Sequence, residues 1–546
     1  MIPSFYKDTF ARDNLPPQSE WPEFLFTLPE VQYPDRLNCV TEFVDKWVAA
    51  GQGDRIAIIS PIETLTYAQL AERINRIANV LTRDLGMVSG NRVLLRAPNS
   101  AMTTAVYLAI IKAGGITVAT MPLLRAKELA FPIQKAKIKI ALCDARLSDE
   151  MEKTKALAPE LEHVVYWGDG GAQSLEALMA KPGYDKFDAF DTAIDDVCLI
   201  AFTSGTTGVP KGTMHFHRDM LVPCDAYGKY VLQANSDDRY IGSAPLAFTF
   251  GLGHALFPFR IGATSIQIEK ATPDELLPAI AKYKATICFT APTAYRAMIP
   301  NLPNYDISSL RKCVSAGETL PKTIFDAWYK ATGLKLLDGI GGTEVMHIYI
   351  ASPEDEVRPG ATGKPVPGYL AKIVDDEGNE VPRGTIGRLA VRGPVGCRYL
   401  ADDRQTKYVQ GGWNFPGDTY VQDEEGYFWY QARSDDMIIS AGYNIAGPEV
   451  EEVLLGHPAV AECGVVGAPD PERGHIVKAY IVLRPEQTGD AVLTKTLQDY
   501  VKNTVAPYKY PRAIEYVTAL PRTESGKLQR FALRRMASES AAKMAS

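Results

Sequence analysis

The stretch Thr203-Ser204-Gly205-Thr206-Thr207-Gly208-Val209-Pro210-Lys211-Gly212 decides how this chain is read, and it follows an apolar run, Val197-Cys198-Leu199-Ile200-Ala201-Phe202. The run has the length and composition of a buried strand. The ten residues after it carry four hydroxyls, three glycines and one lysine. Glycines let backbone approach a ligand closely, hydroxyls and backbone N–H groups can wrap phosphate oxygens, and a lysine adds a point charge. That is the chemistry of a triphosphate cradle. It is not the Walker loop: Pro210 stands where that motif needs glycine, and Gly212 where it needs Ser or Thr.

The surroundings bound the answer. At 546 residues the chain exceeds a single core and predicts two or more domains. With 46% apolar and 23% charged residues it has the composition of a soluble globular protein. No stretch approaches the roughly 20 apolar residues of a membrane span. The N-terminus lacks the basic-then-apolar pattern of a signal peptide, which predicts a cytoplasmic protein. The eight cysteines form no CxxC pair and read as small core residues of a reducing compartment. A net charge of −7 offers no footprint for nucleic acid.

Strand and helix patterns alternate from about residue 55. Arg92–Arg96 reads as a strand, Ala101–Ala113 as a helix ended by Gly114-Gly115, and Ile116–Met121 and Ile138–Cys143 as strands. This alternation predicts layered α/β architecture with largely parallel sheets. Residues 385–432 read as strands and turns without a helix. After about 434 a smaller α+β unit is expected, with a helix from Glu449, strands near 460–466 and 476–484, and a helix over about 490–505. The last dozen residues read as a frayed end.

Further motifs can serve a nucleotide. Ser315-Ala316-Gly317-Glu318-Thr319-Leu320-Pro321 follows a strand-like Lys312-Cys313-Val314, and Pro321 suits a first helical turn. Asp338-Gly339-Ile340-Gly341-Gly342-Thr343-Glu344 offers glycine-rich backbone ending in a hydroxyl and a carboxylate, a pair able to contact phosphate and hold Mg²⁺. Gly417-Asp418 falls between strands, where a carboxylate can accept both ribose hydroxyls. Pro521-Arg522-Thr523-Glu524-Ser525-Gly526-Lys527 ends the series with a lysine in a glycine-containing turn.

Together these segments resemble the adenylate-forming superfamily of acyl- and aryl-CoA ligases, adenylation modules and luciferases, over nearly the whole chain. The resemblance implies a large N-terminal domain (1–434) of two packed mixed sheets with helices plus a small β-barrel. A small mobile α+β C-terminal domain (435–546) follows. It implies that Thr203, Ser204, Gly205, Thr206, Thr207 and Gly208, with Lys211, hold the phosphates. Gly317, Glu318, Asp338, Gly339 and Ile340 would border the adenine, and Asp418 and Arg433 the ribose. Thr343 would meet the adenylate phosphate, Glu344 would hold Mg²⁺, and Lys527 would bridge the substrate carboxylate and the α-phosphate. Asp435 falls at the hinge and Gly442 along the channel for CoA. Ile340 departs from the aromatic residue most members carry there.

For the acid, the resemblance points to a pocket walled by Ala247, Phe248, Phe250, Ile340, Gly341, Gly342 and His347. No Asp lies between 244 and 253 to pair with an α-ammonium. The aromatic residues suit a short flat slot. The Gly-Ile-Gly form of the 338–344 segment is similar to that of benzoate-CoA ligases. The N-terminal Asp8-Thr9-Phe10-Ala11-Arg12-Asp13-Asn14-Leu15-Pro16-Pro17 resembles that of 2-aminobenzoate-CoA ligases. The expectation is a Mg²⁺-dependent aryl-CoA ligase using ATP and CoA, 2-aminobenzoate first and benzoate second, monomeric or homodimeric. A medium-chain acyl-CoA synthetase is the alternative; a luciferase-like oxygenase, an inactive nucleotide binder and an ATPase rank lower.

Overall fold

The computed structural model describes residues 1–203, 209–433, 436–440, 443–470, 473–505, 507–522 and 527–545. The decisive run forms the buried strand Val197–Thr203, which turns back antiparallel on Lys211–Phe216 with Thr203 opposite Lys211. This hairpin edges a six-stranded sheet that continues through Ile116–Thr120, Arg92–Arg96, Ile140–Asp144 and His163–Trp167, all parallel to Val197–Thr203. A second sheet has nine strands. Its centre, from Leu336–Gly341 through Lys312–Ser315, Ile287–Thr290, Arg239–Gly242 and Thr264–Ile266 to Ile56–Ile59, is parallel. A third, antiparallel sheet of strands between Leu370 and Arg433 is the small all-β unit. A fourth, built on the Val460–Asp470 and Gly474–Leu483 hairpin, belongs to the C-terminal α+β part.

Local chemistry sets the helices. Tyr67–Asn79 opens with a capping box: the Thr66 hydroxyl accepts from Gln69 N–H at 3.2 Å, and Gln69 accepts from Thr66 N–H at 2.9 Å. Ala101–Lys112 is capped by Ser100 and is buried nearly all round, so it packs as an inner layer and not as a surface helix. Its one charge, the Lys112 ammonium, is satisfied by Asp45 at 2.8 Å and Asn75 at 2.7 Å. Gly114 ends it at φ +77, where a Cβ would meet the Phe190 ring at 2.8 Å.

Several boundaries differ from expectation. The strand predicted at 138 begins at Ile140, because Lys137 adopts φ 52 and the Ile138 N–H closes the preceding helix on the Ile133 carbonyl. Residues 385–432 do contain a short helix, Gln405–Tyr408, nucleated where Asp402 accepts the Arg404 N–H. Pro321 is the N-cap of Lys322–Thr332 and not its first turn. The helix expected from Glu449 opens at Gly447, with Pro448 in its first turn. The chain's end is not frayed: Arg530–Ala545 is helical and buries Leu533 and Ala537 against Val466, Ala468 and Tyr480. All eight cysteines are buried and free, and no helix is long and apolar enough to cross a membrane among the described residues.

Candidate active site

The Thr203–Lys211 hairpin and the Leu336–Gly341 strand bring the first cluster together. Lys211 Nζ donates to the Tyr399 hydroxyl at 2.7 Å, Tyr399 donates to Glu344 Oε1 at 2.6 Å, and Lys211 lies 3.5 Å from the same oxygen. The buried Thr203 hydroxyl has no partner among the described residues. A hard carboxylate oxygen beside a lysine and an unpaired hydroxyl is a donor set that fits Mg²⁺ and phosphate oxygens. Ser204, Gly205, Thr206, Thr207 and Gly208 lie outside the described residues.

Thr343 and Glu344 sit on a single 3₁₀ turn, Thr343–Val345. His215 Nε2–H donates to the Thr343 carbonyl at 2.7 Å, and its other nitrogen faces Asp219 at 3.5 Å. Burial opposes the Asp219 charge, but Arg398 and His215 hold the carboxyl below its ordinary range. After Glu344 the chain reverses through a γ-turn: Met346 has φ +72 and ψ −44, and the His347 N–H bonds the Val345 carbonyl at 2.9 Å. A buried, non-glycine residue in that conformation is strained, and it fixes the position of His347. Gly341 is required beside it, since a Cβ there would lie 2.7 Å from the His347 carbonyl oxygen.

The nucleotide-side groups converge from four elements. Asp418 does not sit between strands as expected. It opens the strand Asp418–Gln422 and faces Arg433 across the sheet at 3.5 Å. Gly317, at φ +91, has the Lys527 Cε 3.9 Å from where its Cβ would stand. Burial raises the Glu318 carboxyl despite Arg522 at 3.7 Å, and burial also holds Asp338 well above the carboxylate range. Desolvation lowers Lys527, with Arg433 adding to it, while Glu318, Asp418 and Glu344 oppose. Lys527 is held here by contacts across the two parts of the chain: Lys322 N–H to Glu452 at 3.0 Å and Arg296 to the Ala461 carbonyl at 2.8 Å. Asp435 and Gly442 lie outside the described residues.

Next to this cluster is a small pocket whose lining includes Met220, Thr249, Leu252, Leu256, Phe257 and His347. Rings enclose His347: Phe257 at 4.7 Å, Tyr227 at 5.5 Å, Phe250 at 5.9 Å and Phe289 at 6.2 Å between centroids. Gly253 makes room for it, since a Cβ there would stand 2.7 Å from Nε2. Both ring nitrogens are buried, the Phe250 backbone is their polar neighbour, and burial pushes the imidazole down to about 3. Of the expected wall residues, His347 lines the pocket and Phe250 meets its ring. Ala247, Phe248, Ile340 and Gly342 are half-buried, Gly341 is exposed, and none of the five is among the residues that line it.

Sequence reading missed Tyr399, His215, Tyr227, Phe257 and Phe289. For Phe257 a signal existed: it lies seven residues after Phe250 on the helix Thr249–Arg260, hence on the same face. The N-terminal motif is not at the site. Asp8 ties to Arg92 at 2.6 Å and Asn91 at 2.8 Å, fastening the segment to the start of the inner strand Arg92–Arg96 of the first sheet.

Comparison with known proteins agrees with this arrangement. Residues 45–399 match the model of the AMP-binding enzyme family and 449–527 that of its C-terminal domain. The chain is 36% identical over 515 residues to a benzoate-CoA ligase of Thauera aromatica, covering 93% of this chain and 98% of that protein. It is 31% identical to the mitochondrial acyl-coenzyme A synthetase ACSM3 of Mus musculus, over 93% and 91% of the two chains. The crystal structure of the anthranilate CoA ligase AuaEII in complex with anthranoyl-AMP superposes with a TM-score of 0.90 at 35% identity, covering 94% of this chain and all of that one. The mixed α/β fold, the cluster around Glu344 and Lys527, and these matches have one common explanation: the chain belongs to the adenylate-forming family of AMP-binding enzymes.

Proposed function

We propose that this protein is an ATP-dependent aryl-CoA ligase that activates 2-aminobenzoate and, less well, benzoate. His347 carries the reading. It is a neutral imidazole inside a cage of four aromatic rings. A flat ring finds edge and offset contacts there. A neutral imidazole attracts no carboxylate, so the acid group is left to face the nucleotide. One ring nitrogen can then accept an N–H from an ortho amine.

The carboxylate oxygen attacks the α-phosphorus of ATP, the bond to pyrophosphate breaks, and an acyl-AMP forms. Two anions must meet for this, and Lys527, beside Gly317 and Glu318, offsets their repulsion. Lys211 and Thr203 serve the departing phosphates, Thr343 the α-phosphate, and Asp418 with Arg433 the ribose. Glu344, presented by Tyr399 and Lys211, would hold Mg²⁺, which when bound neutralises phosphate charge. In the second half-reaction the CoA thiolate attacks the acyl carbonyl and AMP leaves. We assign the passage between them to rotation of residues 435–546 about Asp435, withdrawing Lys527 and opening a CoA path along Gly442.

The test is CoA- and ATP-dependent AMP release with 2-aminobenzoate, benzoate and octanoate in parallel, the thioester being identified by mass. A kcat/KM ratio of about tenfold for 2-aminobenzoate over benzoate corresponds to about 1.4 kcal/mol and is the expected result. The aliphatic lining from Met220, Leu252 and Leu256 favours a medium-chain acid as the second reading. Octanoate as the best substrate would establish it and overturn the aryl assignment.

A further inference from the structure

Three soft donors meet away from the site described above. Cys39 follows the N-terminal segment, Cys198 lies on the strand Val197–Thr203, and His217 opens the helix after the strand Lys211–Phe216. All three side chains are fully buried, and their ligand atoms all lie within 4.8 Å of one another. We propose that Cys39, Cys198 and His217 form a buried site for a thiophilic divalent cation of the zinc class.

The spacing suits one ion. Three atoms mutually within 4.8 Å fit a circle of about 2.8 Å radius, so a contraction of about half an ångström per donor reaches zinc–sulfur and approaches zinc–nitrogen bond lengths. The histidine is already oriented as a ligand. Its Nε2–H donates to the Tyr6 hydroxyl at 3.3 Å, and Tyr6 in turn donates to the Val197 carbonyl at 3.2 Å. This relay fixes the tautomer that leaves the lone pair on Nδ1, as outer-shell partners of metal-bound histidines do. Nδ1 accepts the Cys39 backbone N–H at 3.2 Å, so its lone pair already points toward the Cys39 side of the cluster.

Charge selects the ion. Two thiolates and a neutral imidazole carry −2, which a dication cancels, and a fully buried site without net charge avoids the cost of an uncompensated one. Binding releases the two thiol protons to solvent. The neighbouring Tyr107 hydroxyl is buried without a hydrogen-bond partner among the described residues. It is a polar group facing the thiols that lacks a partner until something occupies the space. Since Cys198 stands five residues before Thr203, an ion here would brace the base of the hairpin that carries Lys211.

The full chain would be expressed in medium supplemented with cadmium, a spectroscopic substitute for zinc, so that the ion loads during folding. Elemental analysis should find about one cadmium per chain, with a thiolate-to-cadmium charge-transfer band. Cys39→Ala and Cys198→Ala should each lose at least about nine-tenths of the ion and the band, while Cys463→Ala keeps both. Because the first two variants could misfold, ¹¹³Cd NMR of the unaltered protein gives an independent reading: a shift in the range of two sulfurs and one nitrogen supports the site. An oxygen-only shift, ion content unchanged by either cysteine variant, or no bound cadmium would overturn it. So would a metal-free protein two mass units light, which would make the pair a disulfide.

Discussion

Replacing His347 by Leu tests the acid pocket most directly. The change keeps an apolar side chain of similar reach among the rings of Phe257, Tyr227, Phe250 and Phe289 and removes both ring nitrogens. Burial holds the imidazole neutral, so an incoming ortho amine can donate to a ring nitrogen. A net neutral hydrogen bond contributes about 0.5–1.5 kcal/mol, or about two- to twelvefold in kcat/KM. The kcat/KM ratio of 2-aminobenzoate to benzoate should therefore fall from about ten toward one in His347→Leu. Benzoate itself should change by less than about threefold, because its ring contacts survive. Initial rates of AMP formation for both acids at saturating ATP and CoA give the ratio. An equal fall for both acids, with the ratio preserved, would mean that His347 only fills space and that the amine is read elsewhere.

Lys527→Ala should depress ATP–pyrophosphate exchange by at least about a hundredfold while sparing thioester formation from supplied acyl-AMP; equal loss in both half-reactions would remove Lys527 from the adenylation step. Tyr399→Phe deletes the hydroxyl between Lys211 and Glu344 and leaves those two to pair directly across 3.5 Å. Loss of a charge-assisted bond of about 1.5–3 kcal/mol predicts a fall of about ten- to 150-fold in exchange and a raised Mg²⁺ requirement; an unchanged Mg²⁺ titration would contradict that role. Stability should depend on pH through His347 and His254, which burial lowers to about 3 and about 4 from an ordinary 6.5. In the folded chain both are neutral where the unfolded chain is protonated. Their contribution is therefore complete above about pH 6.5 and is lost as pH falls toward those values, at up to about 1.4 kcal/mol per pH unit for each. Thermal melts of His347→Leu should show a shallower acid slope than the parent protein, and identical slopes would refute the assignment.

The contrast between what could be read from the chain and what could not follows the range of the interactions. The strand ending at Thr203 was legible because its evidence is local: an apolar run, then hydroxyls and glycines that cannot continue one; the strand Lys211–Phe216 that pairs back on it was not. Asp418 and Arg433 were legible as a pair, although the pairing across two strands that makes them neighbours was not. Tyr399 left no signal, since the residues it joins stand 188 and 55 positions away and a tyrosine in an apolar run reads as core. The same holds for the strain at Met346, where nothing in a methionine announces φ +72; the surrounding fold imposes it. His347 shows how the two ranges combine. Its position three residues past Glu344 marked it as a wall residue, but its neutrality depends on burial among rings from residues 227, 250, 257 and 289. The nucleotide chemistry is carried by short motifs and survives translation into one dimension. On the proposed function the choice of acid falls to side chains that only the folded sheets and helices bring together, so the substrate has to be tested at that cage and not at the motifs.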